Sequence, residues 1–194
     1  TLPKEVKKNI APLIFDTMGI FWTMKFKNSK DSLLLEDWNE KPRNVPVTVF
    51  APLGFFQDFL DKGVPVDKKF ALSVSELDVQ DWLSIFNLNM TGPVSVLIQK
   101  VIFELKKKKS FYLFDIIEKI NSDDEADDVS KKAAASLFRA AKSWGVFAGK
   151  NDSPTKISDL IRPGKTSVLD LSVYSSNASF NVRALIIGLV SKKL

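Results

Sequence analysis

The 194-residue chain contains no cysteine and no histidine. That excludes disulfides, Cys/His zinc sites, cysteine nucleophiles and any histidine general base. Arginine is confined to Arg43, Arg139, Arg162 and Arg183. Long apolar runs are missing too. The longest, Ala184 to Val190, includes Gly188 and is far too short for a bilayer, so no membrane partner and a cytoplasmic location are expected. The chain opens Thr1-Leu2-Pro3-Lys4-Glu5, with neither an initiator Met nor an apolar signal core, and the expectation is a mature or excised piece.

What is present suffices for a packed core: 45% apolar and 26% charged residues. Charge is uneven. Residues 1–100 are neutral, and the net +5 arises entirely in 101–194, although that half also holds the acidic stretch Asp123-Asp124-Glu125-Ala126-Asp127-Asp128. The rest of it is basic enough to permit a polyanion partner without requiring one.

Leu13-Ile14-Phe15 reads as a strand buried on both faces, ending in Asp16. Val45 to Phe50 reads as a second, with Pro46 at its start or on a free edge. Ser167 to Leu171 reads as a third, launched from the turn Arg162-Pro163-Gly164-Lys165. Strands so far apart in sequence require crossovers, hence an α/β layer. Between the second and third the period changes. Ser75 is expected to cap a helix carrying Val79, Trp82, Leu83 and Phe86. A stronger stripe follows in Val94, Leu97, Ile98, Val101, Ile102 and Leu105, and a third in Leu113, Ile116, Ile117 and Ile120. The fourth runs from Ala134 through Leu137, Phe138, Ala141 and Trp144 to about Phe147, stopping near Gly149. The organisation expected is an α/β core over 1–70, a helical insertion over 71–160, and a strand and helix returning to the core over 161–194. Val182, Leu185, Ile186 and Leu189 mark the closing helix. The acidic stretch 123–128 is the candidate mobile loop.

No motif completes an active site. Gly164-Lys165-Thr166 resembles a P-loop tail, but Asp159 stands where the first glycine belongs and the triplet leads into a strand rather than a helix. Gly145 to Lys150 has the wrong spacing. Leu13–Asp16 and Val168–Asp170 are apolar runs ending in Asp, as in a magnesium-holding strand, yet Thr17 and Leu171 follow where a general base would stand. The acidic stretch lacks the spacing of an EF-hand, and no metal site is expected. Lys106, Lys107, Lys108 and Lys109 are candidate contacts to a phosphate backbone, or cations complementing a helix C-terminus. Most aromatic residues fall on apolar stripes as core; Trp22 and Trp38 flank irregular sequence and are less easily assigned. An Arg finger is conceivable, and a surface ion-pair role is the simpler reading of any arginine.

Three stretches carry a resemblance. Pro12 to Lys25, reading PLIFDTMGIFWTMK, resembles the second core strand and following loop of archaeal ATPases of the HerA/FtsK type. Pro163 to Ser172, followed by Asn181 to Leu194, looks like the strand and helix that precede the Walker B strand in that family. Phe138 to Phe147 is similar to the end of its helical insertion. The resemblance implies a partial parallel sheet of a RecA/FtsK-like P-loop core with an inserted helical bundle, taken from a homo-hexameric motor that moves or unwinds double-stranded DNA with ATP and Mg2+. It further implies that Asp16, Gly19, Asp170 and Ser172 line the nucleotide side of the sheet. Arg139 or Arg183 would then face an adjoining subunit. Ile20 stands where the family often has Glu, and the P-loop and Walker B acids would lie beyond Thr1 and Leu194. This chain alone is therefore expected to be inactive and to bind no cofactor tightly. The alternative is a stand-alone helical module for protein or DNA interaction, without enzymatic activity.

Overall fold

In the computed structural model, residues 3–175 and 180–194 are described, so the Thr1-Leu2 start lies outside them. Strands β1 (Leu13–Asp16), β2 (Val47–Pro52), β3 (Lys68–Phe70) and β4 (Thr166–Asp170) form one sheet. Its order is β1-β4-β2-β3, and every pairing is parallel. Helices α1 (Lys4–Asn9), α2 (Ser32–Asp37) and α3 (Phe56–Asp61) accompany the first strands. Between β3 and β4 come α4 (Val79–Ile85), α5 (Pro93–Leu105), α6 (Leu113–Asn121), α7 (Asp128–Lys142) and α8 (Ile157–Leu160). Helix α9 (Phe180–Lys193) closes the chain.

The α/β layer with crossovers expected from strand spacing is present. The strand pattern explains why both sheet faces are covered. Val47, Val49, Ala51 and Val168 pack with Phe59 and Val66 on one side. Phe50 and Leu169 point the other way, into a cluster that continues through Trp82, Ile98, Ile116 and Phe138 to Val182 and Ile186.

Several boundaries differ from expectation. β1 lies at the sheet edge and is half-buried until Asp16, so it is not covered on both faces. β2 begins after Pro46, which has no N–H for the ladder, and runs on to Pro52. Because β2 sits between β4 and β3, it needs its donors intact. β4 starts and ends one residue earlier than expected. β3 escaped notice because Lys68 and Lys69 are exposed and only Phe70 is buried, the mark of a short edge strand.

Ser75 does not cap α4. It sits in a short 3-10 turn, and Asp78 caps the helix instead, with the Asp81 carboxylate accepting the Asp78 N–H at 2.8 Å. Helix α7 ends at Lys142, earlier than the apolar pattern suggested. Gly145 takes φ +64° and turns the chain back. Val146 then accepts from the Leu72 N–H at 2.7 Å, and Ala148 donates to Leu72 at 2.9 Å. Trp144 and Phe147 thus leave the helix yet stay half-buried against the core.

The acidic stretch 123–128 is built into the fold. Asp123 is buried and accepts the N–H groups of Glu125 (3.1 Å) and Ala126 (2.9 Å). Asp127 caps α7 through the Ser130 N–H at 2.9 Å. It is a folded turn rather than a mobile loop.

Candidate functional site

β1 and β4 end side by side, and their register pairs Asp16 with Asp170. Both carboxyl groups are buried, at 1% and 0% exposure. They lie at the carboxyl rim of a parallel sheet, where ligands of α/β proteins bind.

Their surroundings differ. Asp16 Oδ1 accepts the backbone N–H groups of Met18 (3.1 Å) and Gly19 (2.8 Å), and Oδ2 accepts that of Phe21 (2.7 Å). Three donors satisfy the buried group and hold the following loop tightly against the strand end. Asp170 Oδ1 accepts the Ser172 N–H at 2.9 Å, while Oδ2 is buried with no hydrogen-bond partner among the described residues. Burial raises the Asp170 carboxyl above its ordinary range; the Ser172 hydrogen bonds oppose this and the nearby Asp16 charge adds to it.

Gly19 closes the constellation. It takes φ +71°, and a Cβ there would meet Ser172 Oγ at 2.7 Å and Ser172 Cβ at 2.9 Å. The same Cβ would stand 3.7 Å from Asp170 Oδ2. Only glycine combines that dihedral with such a close approach. Its carbonyl accepts the Trp22 indole N–H at 2.8 Å, which fixes the loop from the other side. Trp22 therefore has a structural place, packed against the β2 side of the sheet, while Trp38 remains 81% exposed. The fold thus brings Asp16, Gly19, Asp170 and Ser172 into one cluster.

The remaining candidates lie elsewhere. Arg139 is exposed in the last turn of α7, and Arg183 is half-buried near the start of α9. In the lysine run, Lys106 Nζ lies 3.0 Å from Asp78 Oδ1 and 3.0 Å from the Ser75 carbonyl, tying α5 to the start of α4. Lys106, and Lys192 after it, hold the Asp78 carboxyl below its ordinary range. Lys107 sits 5.4 Å above the Phe103 ring. Lys108 and Lys109 are exposed, with no ion pair among the described residues.

A fit to the implied cofactors fails on these residues alone. Among the described residues no cluster of three or more potential ligands could hold a metal. Asp16 already spends its oxygens on three N–H groups, and Asp170 Oδ2 is sealed from solvent. The Gly164-Lys165-Thr166 amides do not form a phosphate cradle: the Gly164 N–H donates to Ile10 (2.9 Å) and the Lys165 N–H to Arg162 (2.9 Å). What the rim offers on these residues is a positioned loop and a carboxyl on Asp170 that favours its protonated form.

Two features escaped the sequence reading. Arg162 Nη2 donates to Thr48 Oγ1 at 2.9 Å across 114 positions, joining the turn before β4 to β2; nothing local signals that pairing. Gly54 and Gly145 touch, with the Gly54 N–H donating to the Gly145 carbonyl at 2.7 Å and a hypothetical Gly54 Cβ only 2.6 Å from Gly145 Cα. The helix-breaking glycine after α7 was the available signal. No family model and no curated protein matches this chain.

Proposed function

We propose that this chain is the interior of a HerA/FtsK-like motor ATPase, a RecA-like core fragment carrying an inserted helical bundle, with Asp16 and Asp170 at the rim that would face nucleotide in the whole protein. The observation that carries this reading is the rim itself: two buried carboxyls at the ends of adjacent parallel strands, with the Gly19 backbone against both Asp170 and Ser172. A buried carboxyl with one unpartnered oxygen is costly for folding, and such costs concentrate at functional sites. The helices between β3 and β4 support the second half of the reading.

On this reading Asp16 and Asp170 are positioning residues. Asp16 shapes the loop 17–21 through its three N–H bonds, and Asp170 sets the spacing of the neighbouring strand end. ATP would supply the phosphoryl group and Mg2+ its charge neutralisation, held by segments outside this chain. Double-stranded DNA and five further subunits are the partners this reading implies.

The test compares the purified 194-residue chain with the product of its uninterrupted gene. The chain alone is expected to show neither Mg2+-dependent ATP hydrolysis nor tight ATP binding by calorimetry. The whole product is expected to carry G-x-x-x-x-G-K-[ST] upstream and to hydrolyse ATP. Turnover by the chain alone, with contaminants excluded, would falsify the proposal. So would a start codon directly before Thr1, which favours the helical interaction module.

A further inference from the structure

A groove of about 800 Å3 opens beyond the carboxyl end of β2, with neither Asp16 nor Asp170 in its lining. Its walls come from three segments distant in sequence: the Leu53-Gly54 turn, residues 108–117 around the start of α6, and the stretch from the end of α7 through 145–152. The contact of Gly54 with Gly145 keeps two backbones together where side chains would otherwise fill the space. The volume is that of a site for a small organic ligand.

Its lining combines an apolar surface with cations. Tyr112, Phe114 and Phe147 supply aromatic area, and Phe114 is 71% exposed at the rim. Lys108 comes from the segment before α6, and Lys142 and Lys150 from the stretch that ends α7 and turns back. Elsewhere lysines near carboxylates pair with them, as Lys25 does with Asp67 (2.7 Å), Lys100 with Asp123 (2.8 Å) and Lys119 with Glu104 (2.8 Å). The three groove lysines have no such partner among the described residues, although Asp115 and Asp152 line the same groove. Those two carboxylates are turned to the backbone. Asp115 accepts the Tyr112 N–H at 2.7 Å and Asp152 the Gly149 N–H at 3.0 Å.

We propose that this groove binds a small organic anion: a planar or acyl body seated on the aromatic wall, with a carboxylate, sulfonate or phosphate head held by Lys108, Lys142 and Lys150. The cations have no ion-pair partner among the described residues, they line one groove from two stretches of the chain, and they border apolar surface that water wets poorly. A bare ion would leave that surface exposed, and a neutral apolar molecule would leave the lysines unused. The proposal is independent of the motor reading.

The test titrates the whole chain with anilinonaphthalene sulfonate by fluorescence, with naphthalene sulfonate, naphthyl methanol, inorganic phosphate and a short oligothymidylate as competitors. One saturable site is expected, with naphthalene sulfonate displacing the probe and naphthyl methanol and phosphate far weaker. The double variant K142Q/K150Q is expected to bind about tenfold more weakly, with its circular dichroism unchanged. Lys27→Gln with Lys30→Gln, exposed positions away from the groove, serves as the control and is expected to bind as the unmodified chain. Non-saturable binding overturns the proposal, as does equal weakening in the control or no weakening in K142Q/K150Q. Neutral and anionic competitors of equal strength would make the groove merely apolar. Displacement by oligothymidylate well below the naphthalene sulfonate concentration would make it a nucleic-acid surface instead.

Discussion

Two buried aspartates, one in the helical region and one at the sheet rim, are treated in opposite ways by the same chain. Asp123 is 5% exposed, yet its carboxylate is fully answered. It accepts two backbone N–H groups and lies 2.8 Å from Lys100 Nζ, which also reaches Glu125 at 2.7 Å. Lys100, followed by the Ala126 N–H, draws its carboxyl down to about 2. Asp170 is buried more completely, has among the described residues one backbone donor and no cation, stands near the Asp16 carboxylate, and is pushed up. The first arrangement is accounted for by folding. The second works against folding, which is why the rim and not the acidic turn is the functional candidate.

The comparison breaks most severely if the helical region is not held by its aromatic core. Trp82 is fully buried, with the Phe138 ring centroid at 4.9 Å, Phe147 at 5.4 Å and Phe86 at 5.6 Å. Trp82→Ala is expected to cost about 3–5 kcal/mol in a urea titration followed by circular dichroism. A loss below about 1 kcal/mol would mean that the α4–α7 packing is not what stabilises this part of the chain.

A smaller effect sharpens the rim side. Gly19→Ala places a methyl at φ +71° against Ser172 and is expected to cost roughly 1–3 kcal/mol. Ser172→Gly removes both atoms within 3 Å, so the double variant G19A/S172G should recover part of that loss. Additive costs in the double-mutant cycle would show that the close approach of the two residues is not what demands glycine.

How far the sequence exposed these features depends on the range of the interaction. The Leu13-Ile14-Phe15-Asp16 run and the β4 run are local patterns, and they identified both strand ends to within a residue. Helix α5 follows its apolar stripe to Leu105. The end of α7 was misread because Trp144 and Phe147 continue an apolar pattern that serves packing against Trp82 and Phe86 rather than helix. β3 was missed because a short edge strand with two exposed lysines has no alternation to read. The clustering of Asp16, Gly19, Asp170 and Ser172 was inferred only through a family resemblance. Their convergence is a matter of sheet register across more than 150 positions, which no local period encodes. The partition of the lysines is likewise tertiary: Lys106 is tied to Asp78 while Lys108 faces the groove.

The gentlest test exploits the opposite pKa directions. For Asp123 the native carboxyl titrates near 2, below its ordinary value of 3.8. Its contribution is therefore present above 3.8 and lost as pH falls from there towards 2. For Asp170 the sign reverses. The native state holds the proton more tightly than the unfolded chain, so stability is greatest below 3.8 and declines as pH rises through the native value. Asp123→Asn should flatten the acid limb alone. Asp170→Asn should flatten the decline above 3.8. It keeps an oxygen for the Ser172 N–H but buries an amide donor without an acceptor, so the net gain at neutral pH is expected to be small, on the order of 1 kcal/mol. Urea titrations at a series of pH values measure both limbs. If Asp170→Asn left the decline above 3.8 unchanged, Asp170 would not be its source, and the rim would be an ordinary folded contact like Asp123.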